Sequence, residues 1–228
     1  MEEERTLATD RGHGPVSGLW RRPERAHALY VLAHGAGTDM RHRFLASLAE
    51  ALCGQGVATL RFNFPYTEKR QRRPDPQPVL EACVRSACAE ARRLAPDLPL
   101  FAGGKSMGGR MASNAAARAP IDGLRGLVFL GFPLHPRKAP ARTRAEHLAA
   151  VGLPMLFLQG TRDELAEIGL VRELAVSLGA RATLRELPGG DHSFALRKSA
   201  GRSEAEVHAW LAAEIAAWMR PLSARPGP

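Results

Sequence analysis

Along this chain, short apolar runs alternate with longer stretches in which apolar residues recur every three or four positions. The run at 28–33, Ala-Leu-Tyr-Val-Leu-Ala, is continuously apolar, as expected for a strand buried on both faces. The next stretch has helical spacing, and its apolar residues would share one face: Phe44, Leu45, Leu48, Ala51 and Leu52. Continued in this way, the pattern predicts strands over 16–20, 28–33, 57–62, 98–102, 127–130, 154–159 and 182–187. It predicts helices over 44–54, 79–94, 107–118, 144–150, 165–178 and 204–219.

Strands that alternate with helices at this rhythm predict a three-layer α/β/α sandwich with a mainly parallel sheet. Active groups would then lie in the loops at the carboxyl ends of the strands. We expect a single α/β domain over residues 1–228, with flexible tails at about 1–13 and 222–228. The only extended segment after the strand at 98–102 is 131–152, so no large cap domain is expected.

The composition is that of a folded, soluble protein. Hydrophobic residues make up 45% of the 228 positions and charged residues 24%. No apolar run reaches the roughly 18 residues that a membrane helix needs. The first residues are acidic, and the three cysteines, Cys53, Cys83 and Cys88, are an odd number without zinc-ligand spacing. We therefore expect a cytoplasmic protein that has no membrane partner, no metal and no cofactor.

A net charge of +9 would attract a nucleic acid or another acidic surface as a partner. The basic residues are scattered through predicted helices and loops alike. No nucleic-acid-binding motif with interleaved aromatic residues is present. The sequence therefore favours an arginine-rich surface over a nucleic-acid-binding protein, and it leaves the oligomeric state open.

The segment with the clearest chemistry is Gly104-Lys105-Ser106-Met107-Gly108, which lies between a predicted strand and a predicted helix. It matches the G-x-S-x-G pattern in which a sharp strand-to-helix turn exposes a serine nucleophile. Small residues are needed at its ends because side chains there would collide with the sheet and the helix. We therefore predict that Ser106 is a catalytic nucleophile.

This turn has two other interpretations. The segment also ends the phosphate-loop pattern G-x-x-x-x-G-K-[ST], but that pattern requires glycine at position 99, which is Pro99. The predicted strand also leaves too little chain to wrap a phosphate. The second interpretation is a tight strand-to-helix connection without a catalytic role, and the motif by itself does not exclude it.

A serine nucleophile needs a base and an acid, which follow it in the order Ser, Asp or Glu, His in this kind of fold. Asp163 comes after the predicted strand at 154–159, and His192 comes after the one at 182–187. His192 would accept the serine proton, and Asp163 would hold the imidazole in the correct tautomer. Glu164 is the fallback acid, whereas Asp191, next to His192, is interpreted as a residue that braces the loop.

The developing oxyanion needs two N–H donors. We predict the amide of Met107 at the start of the helix and that of Ala36 in the loop after the second strand. His34, which begins that loop, is expected to brace it. The remaining histidines lack metal-ligand spacing and are interpreted as surface or packing residues: His13, His27, His42, His135, His147 and His208.

Four segments resemble the α/β-hydrolase superfamily and, within it, the dienelactone-hydrolase-like group related to testis-expressed protein 30 and to subunit 3 of the NSL complex. They are Leu-Ala-His-Gly-Ala-Gly at 32–37, Arg-Phe-Asn-Phe-Pro-Tyr at 61–66 with Arg-Arg-Pro-Asp-Pro at 72–76, Gly-Gly-Lys-Ser-Met-Gly-Gly-Arg at 103–110, and Gly-Phe-Pro-Leu-His-Pro at 131–136. The resemblance implies Ser106, Asp163 and His192 as a triad. The eukaryotic relatives also suggest an interaction protein.

We therefore expect a serine esterase or thioesterase that forms an acyl-enzyme, with a non-catalytic interaction protein as the alternative. Lys105, Gly37 and Tyr66 are the candidate substrate-binding residues. Basic groups in loops at the carboxyl ends of strands suggest an anionic ester or thioester, although a solvated loop surface explains them equally well. These groups are Lys69-Arg70, Arg72-Arg73, Arg137-Lys138 and Lys105.

Overall fold

The computed structural model describes residues 2–9, 14–197, 199 and 201–224, and its centre is one eight-stranded, mainly parallel sheet. The strands, in chain order, are β1 (Glu2–Leu7), β2 (Val16–Arg21), β3 (Ala28–Ala33), β4 (Val57–Phe62), β5 (Leu100–Lys105), β6 (Leu124–Leu130), β7 (Met155–Gly160) and β8 (Ala182–Leu187). Their order across the sheet is β1-β2-β4-β3-β5-β6-β7-β8.

Strands β4, β3, β5, β6, β7 and β8 are parallel neighbours, and β2 pairs antiparallel with both β1 and β4. The chain moves outward from β3 to β4 and then returns to place β5 on the other side of β3. In open parallel sheets such a reversal opens a crevice at the carboxyl ends of the two strands, which is where ligands bind. The loops that follow β3 and β5 meet at this crevice.

Helices cover both faces of the sheet, as the predicted sandwich requires. They are α1 (Arg43–Gly54), α2 (Pro65–Glu68), α3 (Gln77–Leu94), α4 (Met107–Arg118), α5 (Ile168–Leu178) and α6 (Glu204–Ser223), with 3-10 turns at Thr143–Ala150 and Gly179–Arg181. Apolar residues of α1 and α6 pack with Tyr30 and Leu32 on one face. Those of α3, α4 and α5 pack with Val31 and Ala33 on the other, so β3 is buried on both sides.

The apolar pattern predicted most elements within a few residues of their observed bounds. The largest displacement is at α6, predicted to end at 219 but continuing to Ser223. Strand β5 was predicted to end at 102 but continues to Lys105, because Gly103 and Gly104 keep pairing with β6. A short helix, α2, also interrupts the segment before α3 that was expected to be a loop. In the described residues the segment between β6 and β7 holds only a 3-10 helix, and no cap domain is inserted there.

The predicted amino-terminal tail is wrong for residues 2–7, which form β1 at the edge of the sheet. Only Leu7 of this strand is fully buried, so no hydrophobic pattern marked it. The buried Arg61 guanidinium forms an ion pair with Glu2, which fastens the strand. The predicted carboxyl-terminal tail is wrong for 222 and 223, which end α6. Residues 1, 10–13 and 225–228 lie outside the described part of the chain, and the domain count stays a prediction.

Candidate active site

Ser106 occupies a strained turn between β5 and α4. Its backbone has φ of 50° and ψ of −114°, a left-handed conformation that a non-glycine residue adopts only at a cost. The turn is held from both sides, since the Ser106 amide donates to the carbonyl of Leu130 at 3.0 Å and its own carbonyl accepts from Arg110. This turn places Ser106 at the carboxyl edge of the sheet, where its side chain lines a cleft.

The two glycines of the motif are required by close backbone approach. A Cβ on Gly104 would lie 2.1 Å from the carbonyl oxygen of Ala33, and one on Gly108 would lie 2.6 Å from the same atom. Both distances are shorter than the non-bonded contacts that a Cβ atom makes in proteins. The turn therefore packs directly against the end of β3, as the sequence predicted for these positions.

Ser106, His192 and Asp163 form one chain of hydrogen bonds. The Ser106 Oγ lies 2.9 Å from His192 Nε2, and His192 Nδ1 lies 2.7 Å from Asp163 Oδ2. A carboxylate can only accept, so Nδ1 carries the proton and Nε2 presents a lone pair to the serine hydroxyl. The structure thus brings the three predicted residues together in the order that general-base activation of a serine requires.

Asp163 is buried, with 4% of its surface exposed, and its carboxylate is held at both oxygens. Oδ2 accepts from Gln159 Nε2 at 2.6 Å as well as from His192, and Oδ1 accepts from the amide of Leu165 at 2.8 Å. The fallback acid Glu164 is instead exposed and forms an ion pair with Arg137. The geometry therefore favours Asp163 over Glu164 as the partner of the histidine.

The loop that carries His192 is closed by its neighbour Asp191, as predicted. The Asp191 Oδ1 accepts from the amides of Ser193 and Ala195 at 2.8 and 2.9 Å. The amide of Phe194 donates to the Asp191 carbonyl, and Phe194 itself has φ of 63°. The loop is thus a compact turn with its own internal hydrogen bonds.

The loop after β3 places Ala36 beside Ser106. A Cβ on Gly35 would lie 3.7 Å from the Ser106 Cβ, so the two loops are in contact. In the described chain, the amides of Ala36 and Met107 donate to no protein acceptor. His34 braces this loop as expected: its Nδ1 donates to the Gly35 carbonyl and its Nε2 accepts from the Phe64 amide. Burial lowers the pKa of His34, which keeps the ring neutral.

A cleft of about 350 Å³ opens beside Ser106 and His192. Much of its wall is apolar, and the amino-terminal part of α1 contributes Phe44 and Leu45 to it. Besides Ser106, His192 and these two, the lining residues are Gly35, Ala36, Thr38, His42, Lys105, Leu165 and Ser193. His42, predicted as a surface or packing residue, is exposed and lies at this cleft.

Of the three predicted substrate-binding residues, one lines the cleft and two do not. Lys105 lines the cleft, but its ammonium turns inward and donates to the carbonyl of His192 at 2.6 Å. Gly37 and Tyr66 are not among the residues that line the cleft in the described structure. Tyr66 is 2% exposed and packs 6.0 Å from the His34 ring, so it supports the loop after β3 from behind.

The predicted basic groups Lys69-Arg70, Arg72-Arg73 and Arg137-Lys138 are exposed but do not line this cleft in the described structure. The other histidines that the structure describes act as packing or surface groups: His27, His135, His147 and His208. His13 lies outside the described residues. No group of three or more His, Cys, Asp or Glu side chains in the described chain is arranged to hold a metal.

Sequence reasoning missed Gln159 and the apolar wall of the cleft. Gln159 is a buried polar residue that interrupts an apolar strand four positions before Asp163, which is the signal that could have found it. The contributions of Phe44 and Leu45 could not be read locally, because they depend on how α1 packs against the loops.

The family model described as the α/β hydrolase domain matches residues 26–220 of this chain. Among curated proteins, two from strains of Mycobacterium tuberculosis, each provisionally named a phosphoribosyl transferase, are 29% identical to it over 191 residues. That match takes in 80% of this chain and 40% of each relative, so the chain spans about two fifths of their length.

Two solved structures show the same fold. Dienelactone hydrolase from Anabaena variabilis superposes with a TM-score of 0.74 at 22% identity, over 96% of both chains. An α/β serine hydrolase without a lid from Xanthomonas campestris gives a TM-score of 0.71 at 21% identity, over 95% of both chains. The narrower relation to testis-expressed protein 30 and the NSL subunit stays a prediction. In the described residues, no helix is both long and apolar enough to cross a bilayer.

Proposed function

The chain belongs to the α/β-hydrolase family, and from that premise we propose that it is a serine hydrolase that cleaves a carboxylic ester or thioester through an acyl-enzyme. The observation that carries the proposal is the hydrogen-bonded chain from Ser106 through His192 to Asp163, set at a strained turn beside an open cleft. Fold alone does not determine chemistry, so the argument rests on these side chains.

In the first half of the reaction, the Ser106 Oγ attacks the carbonyl carbon while His192 Nε2 takes the hydroxyl proton. The carbonyl oxygen becomes an oxyanion, which the amides of Ala36 and Met107 would stabilise, the latter at the positive end of α4. When this intermediate collapses, the bond to the leaving oxygen or sulfur breaks. His192 returns the proton to the leaving group, and the acyl group stays on Ser106.

In the second half, a water molecule takes the place of the leaving group. His192 accepts a proton from the water, which attacks the acyl-enzyme carbonyl, and the same two amides bear the oxyanion. Collapse releases the carboxylic acid and returns the proton to the Ser106 oxygen. Asp163 remains ionised throughout and stabilises the imidazolium that forms twice per cycle.

The cleft indicates the size and character of the substrate. Its volume of about 350 Å³ lies near the lower end of ordinary small-ligand sites, and Phe44, Leu45 and Leu165 give it an apolar wall. We propose an acyl group of modest size with an apolar portion. Since no cap domain covers the described mouth, the leaving group can extend outward.

We propose that an anionic portion of the substrate lies next to this cleft. A second hollow of about 340 Å³ shares His42, Phe44 and Ser193 with it. It is also lined by Arg43, Arg202 and Glu204; Arg43 forms an ion pair with Glu204, so the two arginines exceed the carboxylates there by one charge. Reversing Arg43 and Arg202 to Glu should lower the rate ratio of p-nitrophenyl succinate to neutral p-nitrophenyl butyrate by about fivefold at low salt. Reversal of Arg72 and Arg73, which lie off the cleft, is the matched control. An effect from the control alone would return the role to the loop at 72–73.

The experiment that tests the proposed function is labelling by a fluorophosphonate, which phosphonylates an activated serine and expels fluoride. We expect one label per chain on the wild type and none on Ser106→Ala. The parallel assay is hydrolysis of p-nitrophenyl acetate and a short-chain thioester. A folded wild-type sample that neither reacts with the probe nor hydrolyses either substrate would overturn the proposal and favour a non-catalytic interaction protein.

A further inference from the structure

Lys105, the residue directly before Ser106, brings a cation into the interior of the active site. Its Nζ donates to the main-chain carbonyl of His192 at 2.6 Å and lies 5.6 Å from the centre of the Phe194 ring. A Cβ on Gly131 would lie 3.2 Å from this Nζ and 3.6 Å from Asp163 Oδ2, so the ammonium and the carboxylate border the same small space. The proposed catalytic steps assign no role to this lysine.

The charged groups around the ammonium come from two loops. Asp163 follows β7, and Asp191 and the titratable His192 follow β8. The loop after β3 and the end of β6 present Gly35 and Gly131, which carry no charge. The ammonium therefore lies between the strand that bears the nucleophile and the loops that bear the acid and the base.

The loop of His192 is attached to the rest of the molecule on either side of this residue: the Gly190 carbonyl accepts from the Arg162 amide at 2.8 Å, and the buried Phe194 ring stacks on Phe44. The loop's internal hydrogen bonds, from Ser193, Phe194 and Ala195 to Asp191, close the turn on itself without attaching it to β5. At His192 itself, two side-chain bonds reach Asp163 and Ser106, and in the described part of the chain the bond from Lys105 is the one hydrogen bond to its backbone. The bond to Ser106 must break and re-form during the proposed reaction, whereas that from Lys105 need not.

We propose that Lys105 is a positioning residue: its ammonium holds the backbone of His192 so that the imidazole stays aligned with Ser106, and its charge state controls the proposed hydrolysis. The inference rests on the function proposed above. An ammonium suits this task because a hydrogen bond from a charged donor is roughly twice as strong as one from a neutral donor. The ammonium is also attracted to the Phe194 ring, which a neutral amine would not be.

Burial lowers the pKa of Lys105 to about 8, and the charges of Asp163 and Asp191 offset part of this effect. Below that pH the ammonium is present and the loop is held. Above it the amine is neutral, so kcat/KM should fall as the pH rises through about 8. Two of the three thiols cannot produce this alkaline limb of the pH profile, because burial raises the pKa of Cys83 and of Cys88 to about 12. The third, Cys53, lies at the end of α1 and is not among the groups around the ammonium.

The test compares wild type with Lys105→Met and Lys105→Arg, using hydrogen–deuterium exchange of the peptide over 189–196 and the pH profile of p-nitrophenyl acetate hydrolysis. In Lys105→Met we expect faster exchange of this peptide, a fall in kcat/KM of about 10- to 100-fold at pH 7, and no limb near pH 8. Lys105→Arg should recover most of the rate without the limb, because guanidinium stays charged across the range. Arg93→Met, which removes an exposed cation at the end of α3, is the matched control and should behave as wild type.

Thermal unfolding checks that each variant is folded, and Lys105→Arg keeps the test valid if Lys105→Met is not. The inference is overturned if Lys105→Met shows wild-type exchange and rate, or if it keeps the limb near pH 8. A limb that arises from a free α-amino group, which also titrates near 8, would survive the substitution. If the wild type neither hydrolyses esters nor reacts with the fluorophosphonate, the proposed function fails. The exchange comparison then decides by itself whether Lys105 holds the loop.

Discussion

Helix α4 and the turn before it present two serine–histidine contacts, and only one of them has the surroundings of a nucleophile. Ser106 at the start of the helix lies 2.9 Å from His192, whereas Ser113, two turns further on, lies 2.7 Å from His147. By distance alone, the second pair is the better one. The difference between them shows what a reactive serine needs besides a nearby imidazole.

The first difference is where the protons are. The single proton of the Ser113 hydroxyl is donated to the Arg110 carbonyl at 2.9 Å, so the oxygen accepts from Nε2–H of His147. At the other pair, Asp163 fixes the proton on Nδ1 of His192, which leaves Nε2 to accept from Ser106. His192 is therefore oriented as a base and His147 as a donor.

The second difference is access. Ser113 is fully buried, and burial lowers the pKa of His147 to about 4 with help from the Arg110 charge, so an imidazolium there would be costly. Ser106 is half-buried at a strained turn beside the cleft, and its imidazole has a carboxylate to stabilise the charged form. A reactive serine thus combines an acceptor imidazole, a compensating carboxylate and an open approach.

The strongest test of this contrast replaces each histidine by glutamine. His192→Gln removes the general base and should lower kcat/KM for p-nitrophenyl acetate by roughly 10⁴-fold or more. His147→Gln should leave kcat/KM within about twofold, because that imidazole contacts the Ser113 hydroxyl and the Phe132 ring, neither of which lines the cleft. Stopped-flow assays at pH 7.5 measure both. Comparable losses in the two variants would contradict the contrast, because turnover would then depend on both histidines alike.

The second-largest loss of activity is expected from a change at Asp163, the carboxylate that contacts His192. Asp163→Asn keeps the shape of the acid but favours the wrong imidazole tautomer, so turnover should fall by about 10⁴-fold. Glu164→Gln, one residue away and exposed, is the matched control and should keep the wild-type rate. Steady-state kinetics together with thermal unfolding separate a catalytic loss from a folding defect. A normal rate in Asp163→Asn with a large loss in Glu164→Gln would move the acid to Glu164.

The sequence predicted the positions of Ser106, Asp163 and His192 because each lies in the turn or loop that follows a predicted strand. In a parallel sheet, all such positions reach the same edge, so strand order along the chain is enough to bring them near one another. The glycines at 104 and 108 were predictable for a related reason, since the turn brings backbone against backbone. These are features that local pattern and connectivity determine.

Other features depend on packing between distant segments and were not predictable. The direction of the Lys105 ammonium depends on the carbonyl of a residue 87 positions away. Tyr66 was expected at the substrate but is buried behind His34, because α2 folds the chain back there. The second serine–histidine pair was also invisible, since His147 reaches Ser113 only when the 3-10 helix packs on α4.

The smallest effect is on stability, and it distinguishes the two histidines in acid. Because the pKa of His147 is about 4 in the folded chain and near 6.5 when unfolded, only the unfolded chain takes up this proton between those values. The free energy of unfolding should therefore fall as the pH drops from 6.5 to 4, by at most about 1 kcal/mol per pH unit from this group, since part of the imidazole faces solvent. His147→Gln should flatten this slope in urea titrations. Some slope will remain, because burial lowers the pKa of His34 and of His208 in the same direction. An unchanged slope would mean that His147 takes up its proton in the folded protein as readily as in the unfolded chain. The contrast with His192 would then rest on the Asp163 carboxylate and on access.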